Sequence, residues 1–393
     1  MIFMSRAAKF NFSRAVRHLT IRGRKSDYKA LRKYLESRYD AKVVLFHNGR
    51  TAIAEGLKQY LNKGDAVAVN GLTCFAVRQS VLHDDNEVMY LDIDFETANY
   101  TPETLREAIK KNPQIKAIIL QNMLGFTVDI RPFEQIAKQH KLIIVEDLAH
   151  CVGAHYADGR EAGTVGNFAI LSFGKGKVID AMHGGALVLC DKKVAEQYDN
   201  NPTRIVSPLQ RFRDRVYPII GWFARKFYRV KIGPAVFALA LKLKIVVRSV
   251  EGPVMPHITV TNWQARLALE QMKELDDDVK TRISRAHKLY GMLPENLQTY
   301  TITEGSAPLR YPILVPNRDE MLRILMKYGF YFDDTWYDVP VSPKRYYHKV
   351  NFPEKSCPNA TRTAAEIINL PLHIDPSRIT KAIKVIEDNY AQN

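Results

Sequence analysis

Three short stretches of the chain set polar and charged side chains where apolar runs end. HNGRTA (47–52) follows one apolar run and opens a helical pattern. A helix N-terminus built from Gly49, Arg50 and Thr51 offers backbone N–H groups and a hydroxyl, which suit a phosphate, although most such turns are simple caps. LIIVEDLAH (142–150) ends a buried run in acid. Burying Asp147 is costly unless it meets a cation or caps a helix, and a protonated pyridine nitrogen is one such cation. SFGKGKVIDAMHGG (172–185) leaves a strand at Ser172, presents Lys175 and Lys177 on a Gly-flexed turn, and returns through a Gly pair. Loop lysines are normally solvated. Taken in order, however, a phosphate turn, a strand-end Asp and a strand-end Ser-x-x-x-x-Lys are the parts needed to hold pyridoxal phosphate.

The elements that must position these groups follow from hydrophobic pattern. Apolar runs at 41–46, 67–69, 88–92, 117–120, 142–146, 169–173 and 186–189 read as buried strands, with helical segments near 51–61, 73–83, 102–111 and 131–140 between the earlier ones. Alternation of this kind predicts an α/β protein with a mostly parallel central sheet covered on both faces, its ligands beyond the carboxyl ends of the strands. From 260 to about 291 the sequence has helical periodicity without internal Gly or Pro. A strand at 311–315, a helix near 318–328 and a terminal helix near 376–391 complete a smaller C-terminal α/β domain. The expected organisation is a basic N-terminal arm (1–26), a large domain (27–203), a basic amphipathic insertion (204–250) and a C-terminal domain with its linking helix (251–393).

Composition excludes several classes. With 393 residues, 46% hydrophobic and 25% charged, the chain is globular rather than disordered. Four scattered cysteines without a CxxC pair argue against a disulfide framework or a structural zinc site, and fit a reducing, cytoplasmic compartment. The net charge of +15 is concentrated. Residues 1–26 carry seven Lys/Arg and no acid, and 204–248 carry eleven against the single acid Asp214, so the rest of the chain is close to neutral. Charge that is localised in this way argues against a nucleic-acid-coating surface. The N-terminal segment reads as a basic arm or as a transit peptide. In the second segment, the apolar stretch 232–247 contains Lys242 and Lys244 and is too short to cross about 30 Å of hydrocarbon. Its aromatic and basic residues suit either an anionic bilayer interface, at the inner face of a membrane, or packing on protein with the basic ends snorkelling to water.

The motifs resemble those of the DegT/DnrJ/StrS sugar aminotransferases over roughly residues 28–390. NGRTAI (48–53) is similar to the family's SGTAAL, GDAVAVNGLTCFAV (64–77) to GDEVIVPSYTFVAT, YLDIDFETANYTPETLREAI (90–109) to FVDVDPETYNIDPEALEAAI, and VEDLAHCVGA (145–154) to VEDAAQAHGA. SFGKGKVIDAMHGGALVL (172–189) resembles SFHPTKxxxxGEGGAVVT, and TNWQARLALEQMKELD (261–276) and NLPLH (369–373) complete the series.

The resemblance implies the fold type I architecture of pyridoxal 5'-phosphate enzymes, a homodimer, and transfer of an amino group from glutamate to a keto-sugar nucleotide in surface polysaccharide or glycolipid biosynthesis. Alternatives are a pyridoxal-phosphate reaction on a non-nucleotide or membrane-linked acceptor, and a scaffold or regulator that retains the fold. The resemblance makes Lys177 the lysine that bonds to the cofactor and later moves a proton, and Asp147 the partner of the pyridine nitrogen. It sets His150 near the cofactor's phenolic oxygen, and makes Ser172, Gly49, Arg50 and Thr51 phosphate ligands. Cys74 stands at the usual ring-stacking aromatic position, with Phe75 as the substitute. His257 replaces an Asn that the family supplies to a neighbouring subunit, and Ser342 replaces the His of a Pro-Leu-His motif.

Overall fold

The computed structural model describes residues 2–4, 11–247, 252–332 and 336–390. Seven strands form its central sheet: β1 (Lys42–Phe46), β2 (Ala66–Asn70), β3 (Glu87–Leu91), β4 (Ile115–Leu120), β5 (Ile143–Asp147), β6 (Phe168–Ser172) and β7 (Gly185–Leu189). They lie in the order β1-β7-β6-β5-β4-β2-β3, with β7 antiparallel to both neighbours and every other pairing parallel. The expected α/β architecture is present, and six strands finish on the same edge.

The side-chain period of two divides these strands between two buried layers. Val43, Leu45, Ile118, Ile144, Leu171 and Val188 face one layer, which the helices Lys25–Tyr39, Ile130–His140 and Asn262–Lys273 cover with Leu31, Phe133 and Leu267. Val44, Phe46, Val67, Ile119, Val145 and Leu187 face the other, filled by Ile53 and Leu57 of the Gly49–Leu57 helix and by Val77 and Val81. Both faces are dry, which is why the strands read as continuous apolar runs rather than alternating ones.

A second core surrounds the antiparallel pair Arg310–Leu314 and Ile367–Pro371, with Met321, Leu325 and Ile383 from the helices Arg318–Lys327 and Thr380–Tyr390. The helical stretch from 260 is two helices, Asn262–Lys273 and Leu275–Tyr290, which hand over from the first core to the second. Its break needs no glycine or proline. Glu274 leaves helical geometry (φ −94°, ψ 1°), and Asp276, Asp277 and Asp278 in the next first turn favour a new helix N-terminus there. A short parallel pairing of Thr73–Cys74 with Val341–Ser342 joins the C-terminal part to the chain just beyond β2, a link with no sequence signal.

The described residues of both basic segments pack on the body. Helix Phe12–Thr20, capped by Asn11, packs on Pro208–Lys226, where Phe12 meets Trp222 with ring centroids 4.8 Å apart. The Trp263 indole donates to the His18 carbonyl at 3.0 Å. Pro208–Lys226 and Ile232–Lys242 form a helical pair packed against one another. Among the described residues no helix is long and apolar enough to cross a membrane.

Glu146, one residue before Asp147, closes the loop that follows β5. Its carboxylate accepts from Tyr156 Oη at 2.8 Å and from the amides of Gly163, Val165 and Gly166 at 2.7, 2.9 and 2.6 Å, and the residue is fully buried. Glu146→Ala strands four buried donors, so it is expected to destabilise the chain by about 3 kcal/mol or more, read from denaturant unfolding.

Candidate active site

Alternation along β5 sends Glu146 and Asp147 to opposite faces of the sheet, and Asp147 sits at the carboxyl edge. Asp147 is 3% exposed and accepts from the Ala149 amide at 3.0 Å and more loosely from Gln121 Nε2 at 3.5 Å. Burial pushes its carboxyl upward, and the Ala149 amide, the charge of Lys177 and Gln121 pull it back only in part. Gln121 is itself held, since Thr73 Oγ1 donates to its amide oxygen at 2.7 Å.

Lys177 stands across this carboxylate on the turn after β6, formed by Gly176 at φ +79°. Its Nζ lies 3.0 Å from His150 Nε2 and 4.6 Å from the centroid of the Trp336 ring. The Leu124 amide donates to His150 Nδ1 at 3.3 Å, which fixes the ring with Nε2 facing Lys177 and, at 3.5 Å, the Tyr337 hydroxyl. Leu124 reaches that position through a tight turn after β4 in which Asn122 and Leu124 are both left-handed (φ 43° and 56°). Non-glycine residues in this region are strained, and here the strain aims an amide at a site residue. Trp336 stacks on the His150 ring at 5.1 Å, and the buried Arg310 guanidinium lies 4.2 Å over the same indole.

The glycine-rich turn lies at the ends of β1 and β6. Asn48 caps the Gly49–Leu57 helix, accepting from the Thr51 amide at 2.9 Å and the Thr51 hydroxyl at 2.8 Å. A Cβ on Gly49 would come within 3.2 Å of Ser172 Cβ, and one on Gly185 within 2.6 Å of the Gly49 nitrogen, so both positions are crowded by backbone and by the edge of the cradle. The first amides of a helix have no intrahelical acceptor, and they open here beside Ser172. The Thr51 hydroxyl also accepts from the Met255 amide at 2.9 Å, and so it fastens the 252–258 segment to the turn.

Of the residues expected from sequence, Asp147, His150 and Lys177 converge, and Gly49, Arg50 and Ser172 line the neighbouring turn. Arg50 is buried, donating to Gln79 Oε1 at 2.9 Å and to the Gly252 carbonyl. Phe75 is not brought to this cluster by its described contacts. Its ring stacks on Tyr346 at 4.9 Å, in the second core. The helix starting at Phe75 turns its first side chain inward, while Cys74 stays near Arg50 and Tyr337, beside the site. Ser342 donates to Asp338 at 2.8 Å, and His257 is exposed. Sequence reasoning missed Gln121, Arg310, Trp336 and Tyr337, which carry no local motif.

It also missed a buried polar chain behind the turn. Asp214 Oδ1 lies 2.9 Å from His183 Nδ1, and His183 stacks on His47 at 4.9 Å, directly before the cap Asn48. Gln210 and Gln264 donate to the same carboxylate at 2.8 and 3.3 Å. Lys175, expected in solvent, is buried, donating to the Val247 carbonyl at 2.8 Å with its ammonium 4.0 Å over the Tyr217 ring. Burial, with His183 beside it, pushes the His47 imidazole down to about 3, so it is neutral at physiological pH.

These parts fit pyridoxal 5'-phosphate. An incompletely compensated buried carboxylate awaits a cationic ring nitrogen, a lysine faces it, and helix-start amides beside a serine await a phosphate. Fold and site together define a pyridoxal-phosphate-dependent aminotransferase of fold type I. The chain belongs to the DegT/DnrJ/EryC1/StrS aminotransferase family, whose sequence profile matches residues 22–207 and 253–387 and passes over 208–252. It is similar to the pleiotropic regulatory protein of Geobacillus stearothermophilus, 23% identical over 83% of this chain and 78% of that one. It is also similar to the GDP-perosamine synthase of Caulobacter vibrioides, 30% identical over 46% of this chain and 47% of that one. Among solved structures, NtdA of Bacillus subtilis with bound cofactor PMP superposes with a TM-score of 0.70 at 19% identity, over 97% and 84% of the two chains.

The Asp214 pair has a pH signature. Burial alone would raise this carboxyl, but His183, Lys175 and His47 hold it below its ordinary 3.8. A depressed folded-state value adds stability that is present above pH 3.8 and is lost as pH falls through the folded value. Asp214→Asn is therefore expected to lower the thermal midpoint at neutral pH, and the gap between variant and parent should close as pH drops below about 3.8. A gap that stays constant with pH would assign the loss to packing.

Proposed function

We propose that the chain moves an amino group from L-glutamate to the keto group of a nucleotide-linked sugar, in the biosynthesis of a surface polysaccharide or glycolipid, as a cytoplasmic homodimer. The observation that carries the reaction is the buried Asp147, only partly compensated and facing Lys177 beside the open helix start at Gly49. Support for the acceptor class is the likeness to GDP-perosamine synthase and to the spore coat polysaccharide biosynthesis protein SpsC of Bacillus subtilis. The exposed His257, at the position the family uses toward a neighbouring subunit, supports the dimer.

Bound in this site, pyridoxal phosphate supplies an electrophilic carbon and an electron-withdrawing ring. Asp147 would keep the ring nitrogen protonated, which its own partners leave it free to do, because ion pairing offsets the cost of its burial. Lys177 would hold the cofactor through its amine and, as a free amine, would take and return the proton at the donor's α-carbon. His150, with Nδ1 fixed by the Leu124 amide, orients the Lys177 amine through Nε2. The amides of Gly49 and Arg50 and the Ser172 hydroxyl hold the phosphate. Arg310 supplies a buried guanidinium for a donor carboxylate, suited to a planar bidentate contact.

The purified protein, loaded with cofactor, is expected to show a visible absorbance band that L-glutamate converts to a near-ultraviolet one, and Lys177→Ala should lack the starting band. Failure of the parent protein to take up cofactor after reconstitution would overturn the assignment, and product analysis with several nucleotide-linked keto-sugars identifies the acceptor. Arg310→Gln is expected to raise the KM for glutamate about tenfold or more while leaving the cofactor band in place, as loss of one charge-assisted contact demands. An unchanged KM would remove Arg310 from the donor site.

A further inference from the structure

The helical pair that the family profile passes over has its inner and outer faces in contrasting environments. The inner face is fully engaged. A Cβ on Gly233 would stand 2.1 Å from the Ala224 carbonyl oxygen, so the two helices touch backbone to backbone. Phe237 meets Tyr217 edge to face at 6.2 Å, Tyr217 covers Lys175, and Asp214 reaches His183. The pair is thus fastened to the body.

The outer face is apolar and uncovered. Ile232, Val236, Leu239 and Leu243 follow one another at spacings of four, three and four, which is one stripe of a helix, and they are 53, 37, 54 and 58% exposed. Val230 at 61% extends the stripe through the connecting turn. Around it Lys226, Arg229, Lys231, Lys242 and Lys244 are exposed. The only acid between 204 and 248, Asp214, is turned inward and buried, so the segment itself brings apolar and positive groups to this face and no exposed carboxylate. Exposed apolar area of this kind marks a docking surface rather than ordinary protein surface.

We propose that this face docks on an anionic phospholipid bilayer, with the Ile232–Lys242 helix lying in the plane of the interface. Charge selects the occupant. A two-fold contact with a second copy would set the same basic face against itself. Nucleic acid would meet the charge but not the stripe, because Ile, Val and Leu do not stack on bases. A bilayer interface takes both, aliphatic side chains entering the acyl boundary while lysine and arginine reach the phosphates. An eleven-residue helix, about 16 Å long, lies on such a surface and does not cross it.

The full-length protein is to be floated with phosphatidylcholine vesicles, with and without phosphatidylglycerol. Binding is expected to the anionic vesicles alone and to weaken with salt. Val236→Glu/Leu239→Glu and, separately, Lys226→Glu/Arg229→Glu/Lys231→Glu should each weaken it at least tenfold, since each basic residue near an anionic surface contributes severalfold. Both variants should keep the parent's circular dichroism and its spectral response to glutamate, and Leu239→Gln replaces the first variant if it does not fold. Absence of binding by the parent would overturn the proposal. So would unaltered binding by the apolar variant, which would mean mere charge adsorption, or by the charge variant. Self-association without lipid that Leu239→Gln abolishes, or RNA binding in place of vesicle binding, would give the face to another partner.

Discussion

The architecture turns on the burial of negative charge at the end of one strand. Glu146 and Asp147 are adjacent, both buried, and sent to opposite faces by the pleat. Glu146 receives four donors and is saturated. Asp147 receives one good amide bond and one long amide contact, and its remaining compensation is the charge of Lys177. The same strand end therefore carries a fully satisfied carboxylate and an incompletely satisfied one, and their difference is the number of fixed donors, not the residue type. Everything placed around Asp147, from Lys177 to the Gly49 turn, sits where the parallel strands stop and their backbone no longer fills the space.

That much was legible because buried parallel strands advertise themselves. The runs that became β1, β4 and β5 are apolar on both faces, so their limits emerge within a residue or two, and with them the positions of Asp147, Ser172 and the HNGRTA turn. Lys177 was legible only through its spacing from Ser172 in a known pattern, since nothing local distinguishes it from Lys175. The two lysines indeed end in different places. Lys175 is buried against Tyr217 and Val247, and Lys177 against His150. Trp336, Tyr337 and Arg310 were not legible, because they reach the site only when a second core folds against the sheet edge, across more than a hundred residues of chain. Phe75 illustrates a different limit. A one-residue choice at a helix start decides which of two neighbours faces the site, and here the aromatic turned to Tyr346 and left Cys74 behind.

The basic insertion was legible as an amphipathic segment, but its relation to the site was not. Asp214 counted only as a lone acid among eleven bases. In the fold it is the link through His183 to His47, which precedes the cap of the Gly49–Leu57 helix. The chain leaving the insertion grips that turn from the other side, where Thr51 accepts from Met255, Arg50 donates to the Gly252 carbonyl and Asn48 Nδ2 reaches the Pro253 carbonyl at 3.4 Å. Polar networks of this kind, once buried, hold only in one arrangement, because every broken member leaves a desolvated group.

It follows that the insertion cannot be treated as a passive appendage. Its ends and its one acid brace the Gly49 turn and the lysine turn, while its outer stripe faces away from the protein. Displacing the helices far enough to bury that stripe on the chain's own surface would break the Asp214, Lys175 and Arg50 contacts together, each of them a buried charge. The cost of exposing or unpairing three such groups exceeds the gain from covering four aliphatic side chains, at about 25 cal/mol per Å² of apolar surface. The stripe therefore stays outward because the site behind it holds the helices in place, and any surface that covers it must come to the protein.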